Sequence, residues 1–458
     1  MTNVIEDLSD KDVTFADIRH ETVTGTTLGV INGALRSLSQ SGKAGVIARA
    51  LVGECWGQAS TTEAVSREKL NELLKEAIKI AKISAKHSRK AIDLSNIPSH
   101  EATVWQSVKE NPAEVAVEEK IKLALEMENS LKIDDRLVKT QSRYIDSRNA
   151  FKLVNTVGSR LEWDEIRSLA MVIAIAREGS TMQYDYGARS SLAGFEFIRG
   201  IDSVSFAEEV ANGAIALLSS EKPPSGQMTV IMDGDISGLV AHEVCGHASE
   251  ADEVVKGRSF LTKMSGVQIG SEAVTMIDDG SMVGRQGTIP FDSEGTPGSK
   301  TVIIENGVFK GFLHTLETAV VMGVKPTGNA RAQDYNSRIF ARMTNTFFDK
   351  GDWSNDEIIE DTKDGVYVIK SLSGMEDVVG GGVQATALKG YLIKNGEKTS
   401  LLRSMTITGK VLDILKTVDA VGNTLEFSGG TCGKGEEDYI PVSSGGPLMR
   451  GTMMIGGG

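Results

Sequence analysis

Residues 219–227 read Ser-Ser-Glu-Lys-Pro-Pro-Ser-Gly-Gln, and this polar stretch divides the chain. Two prolines followed by a glycine cannot continue a helix, because proline lacks the amide hydrogen and its ring clashes with the preceding turn. The chain has 458 residues, which exceeds the usual size of a single hydrophobic core. We therefore expect two domains, residues 1–221 and residues 226–458, joined by this linker.

The part before the linker begins with strand patterns. Residues 23–37 alternate in polarity around Asn32-Gly33, a dipeptide that suits a type I′ turn and so predicts a β-hairpin. Residues 45–51 and 56–60 are expected to continue the same sheet. Residues 166–176 are rich in β-branched and apolar residues, and periodicity does not decide between strand and helix there.

Helices are predicted in the same part of the chain. Ser66–Ile92 has apolar residues at helical spacing, with Ser66 as the N-cap. Pro112–Ile133 and Val204–Leu218 also predict helices.

The part after the linker is rich in glycine and in short apolar runs. Asn306-Gly307 and Asn395-Gly396 each predict a hairpin. Three helices are expected, near Ser237–Val255, Thr315–Met322 and Met405–Ala420. The predicted fold class is α+β. Its N-terminal domain is mixed α/β with an antiparallel sheet and long helices, and its C-terminal domain is mainly antiparallel β.

Composition and charge exclude several classes of partner. The net charge is −13, and no strong lysine or arginine cluster offers a face to nucleic acid. No apolar run approaches the roughly 20 residues of a membrane span. Met1–Asp12 is polar and acidic, unlike a signal peptide. Three widely spaced cysteines argue against a disulfide framework and for a reducing compartment, so we expect the cytoplasm.

A motif for metal chemistry lies shortly after the linker. Residues 242–247 read His-Glu-Val-Cys-Gly-His. Two imidazoles suit zinc, and the carboxylate of Glu243 can deprotonate a metal-bound water. The commoner zinc-peptidase spacing of four residues puts both rings on one helix face, whereas five residues rotate about 140° past a full turn. The spacing therefore predicts a π-bulge or a break, for which Gly246 offers backbone freedom.

Catalytic zinc usually takes three protein ligands, so a third must come from elsewhere. Cys432 lies among glycines in Gly429–Gly435, where the backbone can approach a crowded site. Cys245, inside the motif, is the competing candidate. Readings without a metal also remain open. The two histidines and Glu243 could form a surface patch or a buried hydrogen-bond cluster. Cys432 could be a small buried residue in a tight turn.

Several further residues are candidates for support of the site. Glu250 follows His247 by three residues, and we expect its carboxylate to contact the His247 ring and fix its orientation. Alternatively, Glu250 could be a fourth metal ligand or an exposed acid. His314, Arg331 and Arg342 are candidate donors to the oxyanion that develops during hydrolysis. Asn345 is a candidate for docking peptide backbone. The glycine-rich Gly380–Val383 is expected to accept an extended peptide as an added strand.

Several segments together resemble the TldD/PmbA (TldD/TldE) family of metallopeptidases, and specifically its TldD branch. The matching segments, which span nearly the whole chain, are the Asn32-Gly33 hairpin with residues 45–60, His242–Asp252, Pro326–Arg331 followed by Arg342–Thr346, and Gly430–Lys434 before the glycine-rich tail.

The resemblance implies a zinc-dependent peptidase. It maps the metal ligands onto His242, His247 and Cys432, and the catalytic glutamate onto Glu243. It also implies cleavage of unfolded or extended peptides with loose specificity in the cytoplasm. The expected oligomer is a homodimer or a heterodimer with a TldE-like paralogue that lacks the motif.

Two alternatives remain open from the sequence. A non-catalytic peptide-binding subunit would use a structural metal, with its fourth position filled by a protein ligand such as Glu250 or Cys245. A thiol hydrolase would use Cys432 or Cys245 with His242, but would leave Glu243 without a role.

Overall fold

The structure is a computed structural model that describes residues 1–86 and 91–457. We call the residues before the 219–227 linker the N-terminal part and those after it the C-terminal part. The strands of the N-terminal part form one sheet. They are β1 (Val13–Ile31), β2 (Ala34–Val52), β3 (Cys55–Thr61), β4 (Glu101–Val104), β5 (Leu137–Asn155), β6 (Arg160–Glu178) and β7 (Thr181–Ser191).

The strands of the C-terminal part form two larger sheets and one short pair. They are β8 (Gly226–Met232), β9 (Met276–Asp279), β10 (Lys300–Glu305), β11 (Val308–Phe309), β12 (Ala330–Arg331), β13 (Phe340–Ala341), β14 (Asn345–Phe348), β15 (Asp364–Asp377), β16 (Gly382–Lys394), β17 (Glu397–Leu402), β18 (Met405–Lys410), β19 (Ala420–Val421), β20 (Glu426–Lys434), β21 (Glu437–Gly446) and β22 (Met449–Gly456).

The α-helices are mostly short in the C-terminal part. They are α1 (Thr2–Glu6), α2 (Arg67–Ala85), α3 (Val117–Asn129), α4 (Phe195–Arg199), α5 (Ser203–Leu217), α6 (Gly234–Ala241), α7 (Ala251–Val254), α8 (Leu316–Met322), α9 (Asn355–Glu360) and α10 (Val411–Thr417). Among the described residues, none of these helices is both long and apolar enough to cross a membrane.

The N-terminal sheet has the strand order β3-β2-β1-β5-β6-β4, with β7 paired to β6. The predicted hairpin is confirmed: β1 and β2 pair antiparallel around Asn32 and Gly33, whose φ angles of 48° and 78° suit a type I′ turn. Residues 166–176 lie in β6 and are therefore strand. Helices α3 and α5 cover one face of this sheet, and their apolar side chains form a core with those of β1 and β6.

The C-terminal part is mainly antiparallel, as predicted, with two parallel pairs. One sheet has the order β11-β10-β9-β14-β21-β20, and the other has the order β15-β8-β22-β18-β16-β17. The pairs β14–β21 and β8–β15 are parallel. Helix α6 lies between the two sheets, and its buried side chains belong to the main core of this part. The α+β fold class is thus confirmed, and the division into two domains at the linker stays a prediction.

Some predicted elements need correction. The helix expected over Met405–Ala420 is wrong in its first half, because Met405 and Ile407 alternate inward as part of strand β18 and only Val411–Thr417 is helical. The helix expected over Ser66–Ile92 is Arg67–Ala85, capped by Ser66, and residues 87–90 lie outside the described residues. Gly380–Val383 cannot accept an added strand at Val383, which is paired on both sides, to β15 and to β18.

Candidate metal centre

The two motif histidines lie on a π-helical turn. Asp233 caps α6 by accepting the amide hydrogen of Ile236 at 2.8 Å, and the helix runs to Ala241 before the π turn His242–Gly246. A π turn carries an extra residue, so the five-residue spacing returns both rings to one side. The ring centroids lie 5.0 Å apart and the ring planes are nearly perpendicular. The predicted distortion is therefore confirmed, and it is a π turn.

Close packing fixes the position of this turn. A Cβ on Gly246 would lie 2.1 Å from the Met343 sulfur, and a Cβ on Gly238 would lie 2.4 Å from the backbone nitrogen of Gly445. Only glycine permits these approaches without displacement of the neighbours. The helix and its π turn are thus held directly against β21 and the segment before β14.

Cys432 approaches the two histidines from β20. Its Sγ lies 3.0 Å from Nε2 of His242 and 3.4 Å from Nε2 of His247. All three ligand atoms lie within 4.8 Å of one another. A tetrahedral zinc ion with ordinary bond lengths separates a nitrogen and a sulfur ligand by about 3.5 Å, so the donor set fits zinc in chemistry and spacing.

A cavity of about 940 Å³ reaches this cluster. Residues of the motif, of β15 and of β20 line it, and so do Tyr186–Arg189 of β7 in the N-terminal part. Glu243 lies at the wall of the cavity, and its side chain packs against Gly374 of β15. A Cβ added to Gly374 would lie 2.5 Å from Cγ of Glu243. Glu243 also shares a hydrogen bond with Glu376, which is exposed.

The surroundings shift the pKa values of the thiol and the glutamate in opposite directions. Burial by itself would raise the pKa of Cys432, but the charge of His242 and hydrogen bonds from both histidines outweigh it and lower this pKa to about 5. Burial raises the pKa of Glu243 to about 7, with a further increase from Glu376 and an opposing effect of His242. Cys432 is thus prepared to bind as a thiolate, and Glu243 to exchange protons near neutral pH.

A buried charge network lies behind the three candidate ligands. Glu250 contacts Nδ1 of His247 at 3.2 Å, and the Lys434 ammonium lies 2.9 Å from the same carboxylate oxygen. Burial would raise the pKa of Glu250, but Lys434 and His247 outweigh it and lower the value to about 2. Glu250 is therefore ionised. It accepts the Nδ1 hydrogen of His247, which leaves Nε2 free for a metal.

Cys245 is not brought to the cluster. It is fully buried within the hydrophobic core of the C-terminal part, and burial raises the pKa of its thiol far above the ordinary value. Cys55 lies at the start of β3, in the N-terminal sheet. Of the two cysteines that the sequence offered as a third ligand, the structure thus places Cys432 at the histidines.

Three of the candidate donors lie away from the cavity. His314 shares a hydrogen bond between its Nδ1 and Oγ1 of Thr318, at 3.3 Å, and its ring packs near that of Phe312. Arg331 donates through Nη1 to the carbonyl oxygens of Met343 and Pro441, at 2.9 and 2.6 Å. Neither of them lines the cavity that reaches the three candidate ligands, and neither does Arg342, the third candidate oxyanion donor.

Asn345 is likewise engaged within the protein. Its side-chain nitrogen donates to the Asp279 carbonyl at 2.7 Å, and its side-chain oxygen accepts the amide hydrogen of Gly287 at 3.1 Å. The side chain is completely buried, so it has no free group to offer a peptide. Arg342, by contrast, lies beside the buried network, with Nε 3.4 Å from Glu250.

Sequence reasoning missed Glu376 and Lys434. Glu376 has no signal in the sequence, because a hairpin far along the chain brings it to Glu243. Lys434 did have a signal in the sequence, because it is the last residue of the Gly-Thr-Cys-Gly-Lys segment and follows the proposed thiolate ligand by two residues. In the structure, the Lys434 ammonium is a counter-charge to Glu250.

Comparisons with known proteins identify the family. Family models described as PmbA/TldA metallopeptidase domain 1, central domain and C-terminal domain match residues 16–81, 110–218 and 225–457. A metalloprotease of Methanocaldococcus jannaschii is 37% identical over 436 residues, which cover 95% of each chain. A zinc metalloprotease TldD homolog of Saccharolobus solfataricus is 26% identical over 463 residues, which cover 100% of each chain.

The fold also matches a solved structure. TldE from Thermococcus kodakarensis superposes with a TM-score of 0.78 and 19% identity, covering 100% of each chain, which shows a shared fold. The names of the family and of the relatives indicate a metalloprotease. The family resemblance predicted from separate segments is confirmed, and this chain belongs to the PmbA/TldD family of metallopeptidases.

Proposed function

We propose that this chain is a zinc-dependent peptidase that hydrolyses unfolded or extended peptides with loose sequence specificity. His242, His247 and Cys432 hold the metal, and Glu243 is the general base. The observation that carries the proposal is the approach of Cys432 to both histidines, at 3.0 and 3.4 Å, at a cavity that Glu243 also lines.

A zinc ion held by these three residues would supply Lewis-acid chemistry, which would polarise the scissile carbonyl and make the attacking water more acidic. Glu243 accepts the proton of the attacking water and returns it to the leaving amine. The raised pKa of Glu243 suits both steps. Glu250 keeps His247 in the tautomer that presents Nε2 to the metal.

The cavity supports an extended substrate. Strand β20 is at the edge of its sheet, and residues 426–433 of it line the cavity. An extended peptide can pair with such an edge through its backbone, which gives binding without strong side-chain selection. This mode requires an unfolded substrate, because a folded protein offers no free strand to a cavity of this size.

The two alternatives from the sequence are less well supported. A structural metal would need a fourth protein ligand, yet Cys245 lies in the core and Glu250 is held by His247 and Lys434. A thiol hydrolase would use the Cys432 thiolate, but would leave Glu243 at the cavity wall without a role. Chelation separates these cases, because a thiol hydrolase stays active without metal.

The cellular context is part of the same proposal. All three cysteines are free, which agrees with a reducing compartment such as the cytoplasm. We further propose a homodimer or a heterodimer with a TldE-like paralogue. Size-exclusion chromatography with light scattering, alone and with a coexpressed paralogue, distinguishes the two.

The proposed peptidase activity is tested with the Glu243→Gln variant. Its zinc content and its rate of casein cleavage are compared with those of the wild type. We expect the variant to keep near-stoichiometric zinc and to lose at least about 100-fold in kcat, the usual scale for a general base. The matched control is Glu253→Gln, which changes a glutamate of α7 that pairs with Lys256 and Arg258 at the surface. Equal activity of Glu243→Gln and wild type would refute the assigned base.

A further inference from the structure

We infer that Arg342 is a positioning residue of the metal centre, which acts on the Cys432 thiolate and on Glu250 and does not contact substrate. The inference rests on the metal site proposed above. It assigns to Arg342 a role different from that of an oxyanion donor. The evidence is the location of the guanidinium, its partners and its unused donors.

The guanidinium is enclosed on all sides. Arg342 directly follows β13, is completely buried, and is not among the residues that line the cavity. Its backbone nitrogen donates to the Asn329 carbonyl at 2.8 Å, which fixes the start of the side chain. A substrate in the cavity therefore has no contact with Arg342, and any effect on catalysis passes through other residues.

Two carboxylates hold the guanidinium from different elements. Nη1 donates to Oε2 of Glu437, at the start of β21, at 2.8 Å. Nε lies 3.4 Å from Oε1 of Glu250, which follows the π turn. Glu437 also accepts the amide hydrogen of Gln333 at 2.8 Å. Arg342 thus links the segment that bears the histidines to the hairpin that bears the thiolate.

The remaining donors of Arg342 are available to the sulfur. Nη2 has no well-aligned hydrogen bond to another group in the described part of the chain, and neither has Oε1 of Glu250. A buried donor left unsatisfied is costly, so such a group indicates a partner that forms when the site is complete. Burial lowers the pKa of Arg342, but the negative charges of Glu250 and Cys432 outweigh it and raise this pKa.

This placement has two physical effects on the metal site. A guanidinium N–H that donates to the thiolate in the completed site would withdraw electron density from sulfur and restrict its rotation about the Cα–Cβ bond. The contact with Glu250 also keeps that carboxylate aimed at His247. Groups of this kind commonly change metal affinity by about 10- to 100-fold.

The experiment measures zinc affinity by competition with a chromophoric chelator, for the full-length Arg342→Lys variant. Lysine keeps the positive charge but loses the planar set of donors. We expect zinc binding to weaken by about 10- to 100-fold. The matched control is Arg450→Lys, which changes another buried arginine of the C-terminal part, held by Asp361 and Asp419 at 2.8 and 2.9 Å. We expect the control to keep wild-type affinity.

A second readout separates positioning from general loss of structure. In the cobalt-loaded protein, the thiolate-to-metal charge-transfer band reports electron density on sulfur. We expect this band to move to lower energy in Arg342→Lys and to stay in place in Arg450→Lys. A band and an affinity that match wild type in Arg342→Lys would overturn the inference.

Glu437→Gln covers the case in which Arg342→Lys does not fold. This variant removes the negative charge that holds Nη1 of Arg342. It leaves Arg342, Glu250, Cys432 and the two histidines unchanged. We expect the same direction of change, with a smaller loss of affinity, and unchanged values would contradict the inference. Failure of the proposed function gives a different result from failure of this inference. In that case the wild type itself would bind no zinc, or the Cys432→Ser variant would bind zinc as tightly as the wild type.

Discussion

Asp185 of β7 and Lys370 of β15 form an ion pair, with Oδ1 and Nζ 2.6 Å apart, that joins the N-terminal part to the C-terminal part beside the cavity. The other carboxylate oxygen of Asp185 contacts Lys389 Nζ, also at 2.6 Å. Lys370 has a left-handed backbone with φ of 64°, and its amide donates to Asp233, the cap of α6. Lys370 thus fixes the strand that carries Gly374 and Glu376 against β7 through its side chain, and against the start of α6 through its backbone amide.

The Asp185→Asn substitution is expected to destabilise the protein strongly. It leaves the ammonium groups of Lys370 and Lys389 without their completely buried counter-charge, which costs about 3 kcal/mol in the free energy of unfolding. Urea denaturation followed by circular dichroism measures the change. The control is Asp364→Asn, which removes an exposed partner of Lys394 and should leave stability nearly unchanged. Equal midpoints for the two variants would contradict the prediction.

The Gly246→Ala substitution is expected to abolish metal binding. The added Cβ would lie 2.1 Å from the Met343 sulfur, so the π turn has to shift and the two imidazoles lose their alignment. Zinc content after dialysis measures the effect. Gly42→Ala is the control, because its Cβ would meet nothing closer than 3.8 Å. Full zinc content in Gly246→Ala would show that the turn tolerates the displacement.

Alkylation is expected to distinguish the cysteines. With metal bound, the Cys432 sulfur is engaged and iodoacetamide should leave it unmodified. After chelation, its lowered pKa makes it a thiolate at pH 7, and it should react first. Cys245 should stay unmodified in the folded protein, since it is completely buried. Peptide mass mapping gives the modified site, and reaction of Cys432 at equal rates with and without chelator would argue against its role as a ligand.

His314 is expected to make the protein less stable in acid. Burial lowers its pKa to about 4, whereas the unfolded chain takes up a proton near the ordinary value of 6.5. The unfolded state therefore binds more protons between these values, and stability falls as pH drops through this range, by up to about 1.4 kcal/mol per pH unit.

The His314→Gln variant tests this pH dependence. It should flatten the slope of unfolding free energy between pH 6.5 and pH 4, because neither state then gains a proton at this position. An unchanged slope in His314→Gln would assign the acid sensitivity to other groups.

Local sequence signals predicted the elements whose causes are local. Asn32-Gly33 specifies its turn through backbone conformation, and Ser66 specifies the start of α2 through its cap. The five-residue spacing of His242 and His247 predicted a distortion, because an α-helix cannot align rings at that interval. The same local reasoning failed at Met405–Lys410, where pairing to β16 and β22 outweighs helical spacing.

The contacts that complete the site depend on tertiary structure. Nothing near Arg342 in the sequence indicates that its guanidinium lies between Glu250 and Glu437, since strand pairing brings these residues together. Glu376 reaches Glu243 for the same reason. The candidate oxyanion donors His314 and Arg331 and the candidate docking residue Asn345 were chosen by residue type alone, and the structure engages each of them within the protein. Residue type therefore selected the three side chains that the structure brings together, whose chemistry is distinctive, and not the groups around them.

The distance along the chain between the histidines and the thiol has a consequence for biosynthesis. Cys432 follows His247 by 185 residues, so a chain under synthesis carries both imidazoles long before it carries the sulfur. Until the β20–β21 hairpin has left the ribosome and folded, a metal ion finds only two of the three donors. On the function proposed above, a nascent chain therefore has no assembled centre with which to cleave the unfolded polypeptides around it, its own included.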